Sequence, residues 1–337
     1  MPDRVTMSDV AREAGVSLMT VSRVVNDKGE ISPATRQRVL AVIERLGYRP
    51  SGIARGLATR HTSTLGLVIP DVSNPFFSEV ARGAEHVAYA EGYNVFLCNT
   101  EEDPERELAV LESLEEKRVD GVLLCSSRLD DGALRQAVAH HPAVVLVNRR
   151  LANEAAGRVL VDDETGGRAA VQHLLQAGHR AVGFLAGPPT SHSGQERAKG
   201  YRAALAAAGL PYNPAWVRPC PPTVAGGLET TRHLLTACPE LTALFCYNDL
   251  VAVGALQACA ELGRAVPTDL AIVGFDDIPL AALVTPPLTT CHVPRYELGR
   301  QAMRLLLDRI NGCTEECQEI VLRPELVVRA SAPCVAR

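Results

Sequence analysis

Eight short runs rich in β-branched and aliphatic residues recur between residues 65 and 277, most of them separated by stretches of helical periodicity. LGLVIPD, YNVFLCNT, DGVLLCSS, AVVLVN and RVLVDD come first, and AVGFLAG, ALFCYND and LAIVGFDD follow after a long helical stretch. Strands joined through helices cannot pair as hairpins, so they lie parallel with helices covering the sheet faces. The pattern predicts an α/β body with parallel sheets, divided into two similar lobes. In open sheets of this kind ligands bind beyond the carboxyl ends of the strands. Those ends are polar here: Asp71, Asn74, Asn148, Arg149, Asp162, Asn248, Asp249, Asp276 and Asp277. Such a set can orient a small polar or polyhydroxylated ligand, with Phe76 and Phe77 available to stack on it. Asp163 and Asp249 directly precede helical runs and are expected as caps. Asp277 is expected to support its turn, and His179 and Arg180 to lie in a turn and a strand entry.

The first fifty residues follow another rule. Thr6 stands three residues ahead of Asp9 and just before Val10, Ala11 and Ala14, a capping-box start to a short helix that Gly15 ends. Ser17 can cap a second helix through Val25 after a turn of only three residues. Two short helices joined so tightly form a helix-turn-helix unit. A third helix runs from the cap Ser32 and the first-position Pro33 to Leu46, with Gly47 as its stop. Val39, Val42, Ile43 and Leu46 can close a three-helix core with Val10, Ala14, Val21 and Val24. In a unit of this kind the second helix enters the DNA major groove by its N-terminal end. Arg23 can donate two hydrogen bonds to a guanine, and Leu18, Met19 and Thr20 can meet thymine methyls. Spacing alone also admits a three-helix protein-interaction module with a solvated Arg23.

Charge is distributed unevenly. Residues 1–61 hold ten basic residues against six acids, an excess of four positive charges on a chain of net charge −5. The remainder is therefore strongly acidic, as suits a protein that presents one end to a polyanion. No run of about 18 apolar residues is present to span a membrane. The start, MPDRVTMSDVAREAGVS, lacks a secretory signal, so a cytoplasmic location is expected. The ten cysteines are scattered through apolar runs and are expected to be buried, reduced thiols. Cys313 and Cys317 lack the further ligands of a metal site.

The strings TMSDVAREAGVSLMTVSRVVND and ISPATRQRVLAVIERLGYRPSGIARGL resemble the headpiece of the lactose repressor/galactose repressor (LacI/GalR) family. The resemblance implies double-stranded, pseudo-palindromic operator DNA as partner, contacted by Thr6, Ser17, Leu18, Met19, Thr20, Ser22, Arg23 and Asn26. It also implies a hinge after Pro50 that becomes helical on DNA, with Ala54 at a close helix contact and Leu57 wedged into the minor groove. Gly52 and Gly56 fall within that hinge and each lowers helix stability by roughly 1 kcal/mol relative to alanine. The body, through IPDVSNPFF, VLVNRR, HLLQAGHRAVGFLAGPP, ERAKGYRAAL, YNDLVAVGALQA, IVGFDD and PPLTT, resembles the same family's effector domain, itself similar to periplasmic sugar-binding proteins. That resemblance implies effector contacts at Arg197, Asn248 and Asp276, then at Asn148, Ser191, Ser193, Phe76 and Phe77, and the strand-end pattern adds Asp71 and Arg149. Where some relatives supply a second stacking aromatic, this chain reads Arg218-Pro219-Cys220-Pro221-Pro222, which favours a sugar or sugar derivative over a planar base.

The expected organisation is an all-α headpiece at 1–50, a hinge at 51–61, and a two-lobed, periplasmic-binding-protein-like domain at 62–337. One lobe takes about 62–162 and 293–323, the other about 163–290 and 324–332. A homodimer is expected, because no leucine heptads follow Arg329. A free sugar-binding protein is the alternative, but it leaves the first sixty residues unexplained. An enzyme is not expected. The serines of SHSGQ lack a G-x-S-x-G setting, and neither a P-loop nor a G-x-G-x-x-G after a strand occurs, so no cofactor is implied.

Overall fold

The computed structural model describes residues 5–49, 61–151, 156–313 and 318–334. Ala54 and Leu57, with most of the expected hinge, lie outside the described residues, as does Cys317. The chain divides into two compact units, Met1–Ser63 and Thr64–Arg337.

The first unit is three helices: α1 (Met7–Ala14), α2 (Leu18–Val25) and α3 (Pro33–Leu46). Thr6 and Asp9 form the capping box, with the Thr6 amide donating to Asp9 Oδ2 at 2.9 Å and the Asp9 amide to Thr6 Oγ1 at 3.3 Å. Gly15 and Gly47 end α1 and α3 in the left-handed conformation, at φ 62° and 63°. Val10, Val21 and Val39 are fully buried, with Ala14, Val24 and Val42 around them. Tyr48, which the apolar periodicity does not single out, completes this core.

The second unit holds two parallel sheets, as its strand–helix alternation requires. β1 (Thr64–Ile69), β2 (Asn94–Asn99), β3 (Gly121–Cys125), β4 (Val144–Val147), β5 (Gly157–Val161) and β11 (Glu319–Leu322) form a six-stranded sheet in the order β11-β5-β4-β3-β1-β2. β6 (Val182–Leu185), β7 (Val217–Arg218), β8 (Ala243–Cys246) and β9 (Ala271–Val273) form a four-stranded sheet in the order β7-β6-β8-β9. β10 (Thr290–His292) pairs antiparallel with β12 (Glu325–Val327). Every position of β3, β4, β6 and β8 is buried, as for strands covered on both faces. The first sheet carries α4 (Pro75–Ala90), α5 (Pro104–Glu116), α6 (Asp131–Ala139) and α12 (Arg295–Ile310). The second carries α7 (Asp163–Gln176), α8 (His192–Ala207), α9 (Val224–Ala237), α10 (Asp249–Glu261) and the short α11 (Pro279–Leu283). The chain passes from one sheet's neighbourhood to the other's between β5 and α7, between β10 and α12, and between β11 and β12.

Several local expectations need correction. The caps of α7 and α10 are Asp162 and Asn248, which accept from the amides of Thr165 and Val251. Asp163 and Asp249 are the first helical residues and are buried. Ser191 caps α8 by accepting from the Gly194 amide, so Arg197 lies well inside that helix. The two-residue β7 and the strands after residue 289 are too short or too weakly patterned for periodicity to reveal. Among the described cysteines, Cys125, Cys220, Cys238, Cys246, Cys259 and Cys291 are buried, but Cys313 and Cys334 are exposed because they lie in segments past α12 and β12.

Three helix pairs in the second unit cross on glycine. A Cβ on Gly83 of α4 would lie 2.1 Å from the Tyr296 carbonyl oxygen, and one on Gly299 of α12 would lie 2.0 Å from that of Val80. Gly167 with Gly200 does the same for α7 and α8, and Gly227 with Gly254 for α9 and α10. Gly83→Ala and Gly299→Ala are each expected to cost about 1–3 kcal/mol, the usual range for an overpacked interior. Thermal unfolding of the full chain reads this as a lower midpoint, and an unchanged midpoint in both variants would contradict the contact.

Candidate functional site

On α2 the capping needs of a short helix decide which side chains remain available. Ser17 Oγ accepts from the Thr20 amide at 3.1 Å and bonds the Thr20 hydroxyl at 2.9 Å. Asn26 Nδ2 donates to the Ser22 carbonyl oxygen at 2.8 Å and to Ser22 Oγ at 3.3 Å. Val21 and Val24 face the core, which leaves Leu18 and Met19 exposed at 50% and 65%. Arg23 is exposed as well and forms no ion pair among the described residues, whereas Arg12, Arg36 and Arg45 pair with Asp9, Asp27 and Glu13. Met19 and Arg23, four apart, share one helix face. Of the eight described residues singled out in this unit, Leu18, Met19 and Arg23 are thus free to meet a ligand. Thr6, Ser17, Thr20, Ser22 and Asn26 are engaged in holding helix ends, though their remaining hydrogen-bonding capacity stays near the surface.

In the second unit a narrow cavity of about 20 Å³ lies at the carboxyl ends of the strands. Asn74, Phe76 and Phe77 reach it from the start of α4, Ser126 and Arg128 from the end of β3, and Asn148 from the end of β4. Glu102 comes from the loop after β2. From the other lobe come Ser193 and Arg197 of α8, Pro222, the pair Tyr247 and Asn248 after β8, and Asp276 after β9. Parallel strands aim all their carboxyl ends one way, so the loops that follow them converge on one crevice.

Arg197 organises that crevice. Its Nε donates to Asp163 Oδ1 at 2.8 Å and its Nη1 to the Tyr247 carbonyl oxygen at 2.5 Å, while Nη2 lies 3.5 Å from Asp276 Oδ1. The guanidinium carbon sits 3.7 Å from the centre of the Phe275 ring and 5.0 Å from that of Tyr247. Burial works against this charge, but Asp163 and Asp276 outweigh it and hold Arg197 firmly protonated. Burial pushes the Asp276 carboxyl up to about 7, against the opposing pull of Arg197. Asp163 is shifted upward for the same reason, with Arg197 again opposing. Asp249 is fully buried nearby and is pushed well above the usual carboxylate range, by burial first and Asp276 second. It accepts from Thr290 Oγ1 at 2.5 Å and from the Ile278 amide at 2.8 Å, so its task is to tie β10 and the turn before α11 to the start of α10.

The cavity gathers Phe76, Phe77, Asn148, Ser193, Arg197, Asn248 and Asp276 from the sequence-derived set. It does not gather the other three. Asp71 turns its carboxylate onto the amide and hydroxyl of Ser73, at 2.8 and 2.7 Å. Arg149 donates to the Leu129 carbonyl oxygen at 2.9 Å and to Asp131 at 2.7 Å. Ser191 is buried behind the wall, capping α8 and bonding the Tyr247 hydroxyl at 2.9 Å. Phe76 and Phe77 are edge to face, with ring centres 5.1 Å apart. Glu102, Ser126, Arg128 and Tyr247 escaped sequence reasoning, although each follows a strand run within a few residues. Asp277, outside the lining, accepts from Arg329 at 2.7 Å and lies 3.0 Å from His292 Nδ1, which fixes its turn. Among the described residues no helix is long and apolar enough to cross a membrane.

Comparison with known proteins joins these two regions. The family of bacterial regulatory proteins called the lacI family matches residues 6–51, and that of periplasmic binding proteins and sugar binding domain of LacI family matches residues 62–328. The HTH-type transcriptional repressor PurR of Haemophilus influenzae (strain PittEE) is 38% identical over 337 residues, covering 98% of this chain and 99% of its own. The lac repressor dimer bound to operator and the anti-inducer ONPF superposes with a TM-score of 0.85 at 28% identity, over 98% of this chain and 100% of that one. A transcriptional regulator CelR–cellobiose complex superposes with a TM-score of 0.75 at 36% identity, over 97% of this chain and 100% of that one. The match over 6–51 removes the interaction-module reading of the three helices. With both units matched and relatives aligned along nearly the whole chain, the protein belongs to the LacI family, as a DNA-binding transcription regulator with an effector-binding domain.

Proposed function

We propose that this regulator is a repressor that binds a pseudo-palindromic operator as a homodimer in the cytoplasm, and that a sugar or sugar derivative in the cavity controls its affinity for DNA. In this reading residues 1–50 contact DNA, 51–61 join the units, and 62–337 bind the effector and dimerise. One observation carries the effector half: a buried guanidinium, hydrogen-bonded to Asp163 and 3.5 Å from Asp276, at the convergence of the strand ends, with amides and aromatic edges around it. Hydroxyl groups suit such a wall, because carboxylates accept from them and amides donate to them. The sugar complexed with the CelR relative supports the same class.

On the DNA side, the availability of Leu18, Met19 and Arg23 at the surface of α2 supports base contacts from that helix. Support for a dimer comes from apolar side chains left in solvent, Phe96 and Leu97 on the edge strand β2 and Leu283 in α11. The effector acts by binding one arrangement of the protein better than another, whether it releases DNA or secures it.

Arg23→Ala is expected to relax discrimination at a guanine in each half-site by roughly 1–3 kcal/mol per contact. Selection from random DNA checks this, and recovery of the same motif by the variant would remove Arg23 from base reading. Arg197→Lys keeps a charge beside Asp163 but loses the planar fork. With Asp276→Asn, it is expected to retain operator binding and lose the response to a sugar that shifts wild-type affinity. A full response in both variants would place the effector elsewhere.

The raised Asp276 carboxyl has a consequence for pH. Its folded value of about 7 lies above the unfolded value, so the folded state holds the extra proton between them. The stability this group contributes is complete below about pH 4, is lost as pH rises to 7, and changes no further above that. Thermal midpoints of wild type and Asp276→Asn compared at several pH values should show the wild type losing ground across this window. A constant difference would show that Asp276 is ionised throughout.

A further inference from the structure

Resting on the reading of this cavity as the effector site, we infer that the effector is an uncharged polyhydroxyl compound, and that the Glu102–Arg128 pair of the first lobe is the device that turns away anionic derivatives such as sugar phosphates and sugar acids. Arg128 is 4% exposed and lines the cavity beside Glu102. Its Nε and Nη2 both donate to the Glu102 carboxylate, the latter at 3.1 Å, and its Nη1 donates to the Ser126 carbonyl oxygen at 2.9 Å. An unpaired arginine here would be a ready partner for a phosphate or carboxylate. This one is already claimed along both edges.

The second guanidinium on the wall is claimed too, by Asp163, Asp276 and the Tyr247 carbonyl oxygen. Among these paired groups, two cations face three carboxylates. An incoming anion must either displace Glu102 from Arg128, leaving that carboxylate unpaired, or settle beside Asp276. Each route brings like charges together in a low-dielectric crevice.

The neutral groups select in the same direction. The side-chain oxygens of Asn74, Asn148 and Asn248 accept from the amides of Phe76, Val161 and Val251, at 2.9, 3.1 and 2.9 Å. Asn74 and Asn148 keep their NH₂ donors for a ligand, and Asn248, whose Nδ2 donates to the Pro222 carbonyl oxygen at 3.4 Å, keeps one N–H. The wall thus offers donors from the amides and acceptors from Glu102 and Asp276. A hydroxyl answers both, whereas an ionised phosphate only accepts and an ammonium only donates.

The test uses the purified full chain and matched compounds: glucose, glucose 6-phosphate, glucuronate and glucosamine; ribose and ribose 5-phosphate; and cellobiose. Thermal shift followed by calorimetry at one ionic strength should find stabilisation by a neutral member and none by its anionic counterparts. Glu102→Gln, which frees the Arg128 guanidinium, should gain about tenfold or more in affinity for the phosphate of the sugar that the wild type prefers. Tighter wild-type binding of a phosphate, an acid or the amine than of the matching neutral sugar overturns the inference while leaving the effector site in place. Absence of stabilisation by every member removes the sugar reading of the cavity and the inference with it. Because the wild-type comparison decides alone, poor folding of Glu102→Gln does not affect the outcome.

Discussion

The Arg197 guanidinium is the point on which the second unit's cavity depends. It draws on Asp163 at the start of α7, on the carbonyl oxygen after β8 and on Asp276 after β9, and it rests on the Phe275 ring. A charge taken out of water is tolerated only when its donors are satisfied, and a planar fork can satisfy three directions at once. Reaching those partners requires α8 to lie close against α7, and Gly167 permits it, standing where a Cβ would be 2.8 Å from the backbone oxygen of Arg197 itself. The helix crossing and the chemistry of the crevice are one arrangement.

The first unit solves a different problem. Helices of eight residues such as α1 and α2 are well below the about 12–15 residues at which an isolated helix becomes marginal in water. Their persistence rests on caps at Thr6, Ser17 and Ser32, and on a small core centred on Val10, Val21 and Val39. Because the polar residues near the ends are committed to the backbone, the side chains left to meet a partner are few.

What the sequence made legible was set by short-range rules. Strand runs, helix caps and the three-helix core follow from period, propensity and capping chemistry, so their positions could be read residue by residue. Asp163 and Asp249 were misjudged because an aspartate one residue later than a cap looks the same in sequence, while in the fold it lies inside the helix and is buried. Asp71 and Arg149 satisfy the strand-end rule, yet Ser73 and Asp131 capture them locally. Glu102 and Arg128 were missed for the opposite reason: they are 26 residues apart, and only the pairing of β1 with both β2 and β3 brings them together.

The three passages between the lobes tie the order of folding to the order of synthesis. The six-stranded sheet has five of its strands by residue 161, but its edge strand β11 and its covering helix α12 arrive only after residue 294. The four-stranded sheet likewise waits for Ser331, whose backbone carbonyl accepts from the Ile272 amide within β9. Neither lobe can therefore be finished on the ribosome while the other is still being made. Both close only on residues after 290, and these late, distant contacts give the chain a folding problem of high contact order despite its locally wound parts.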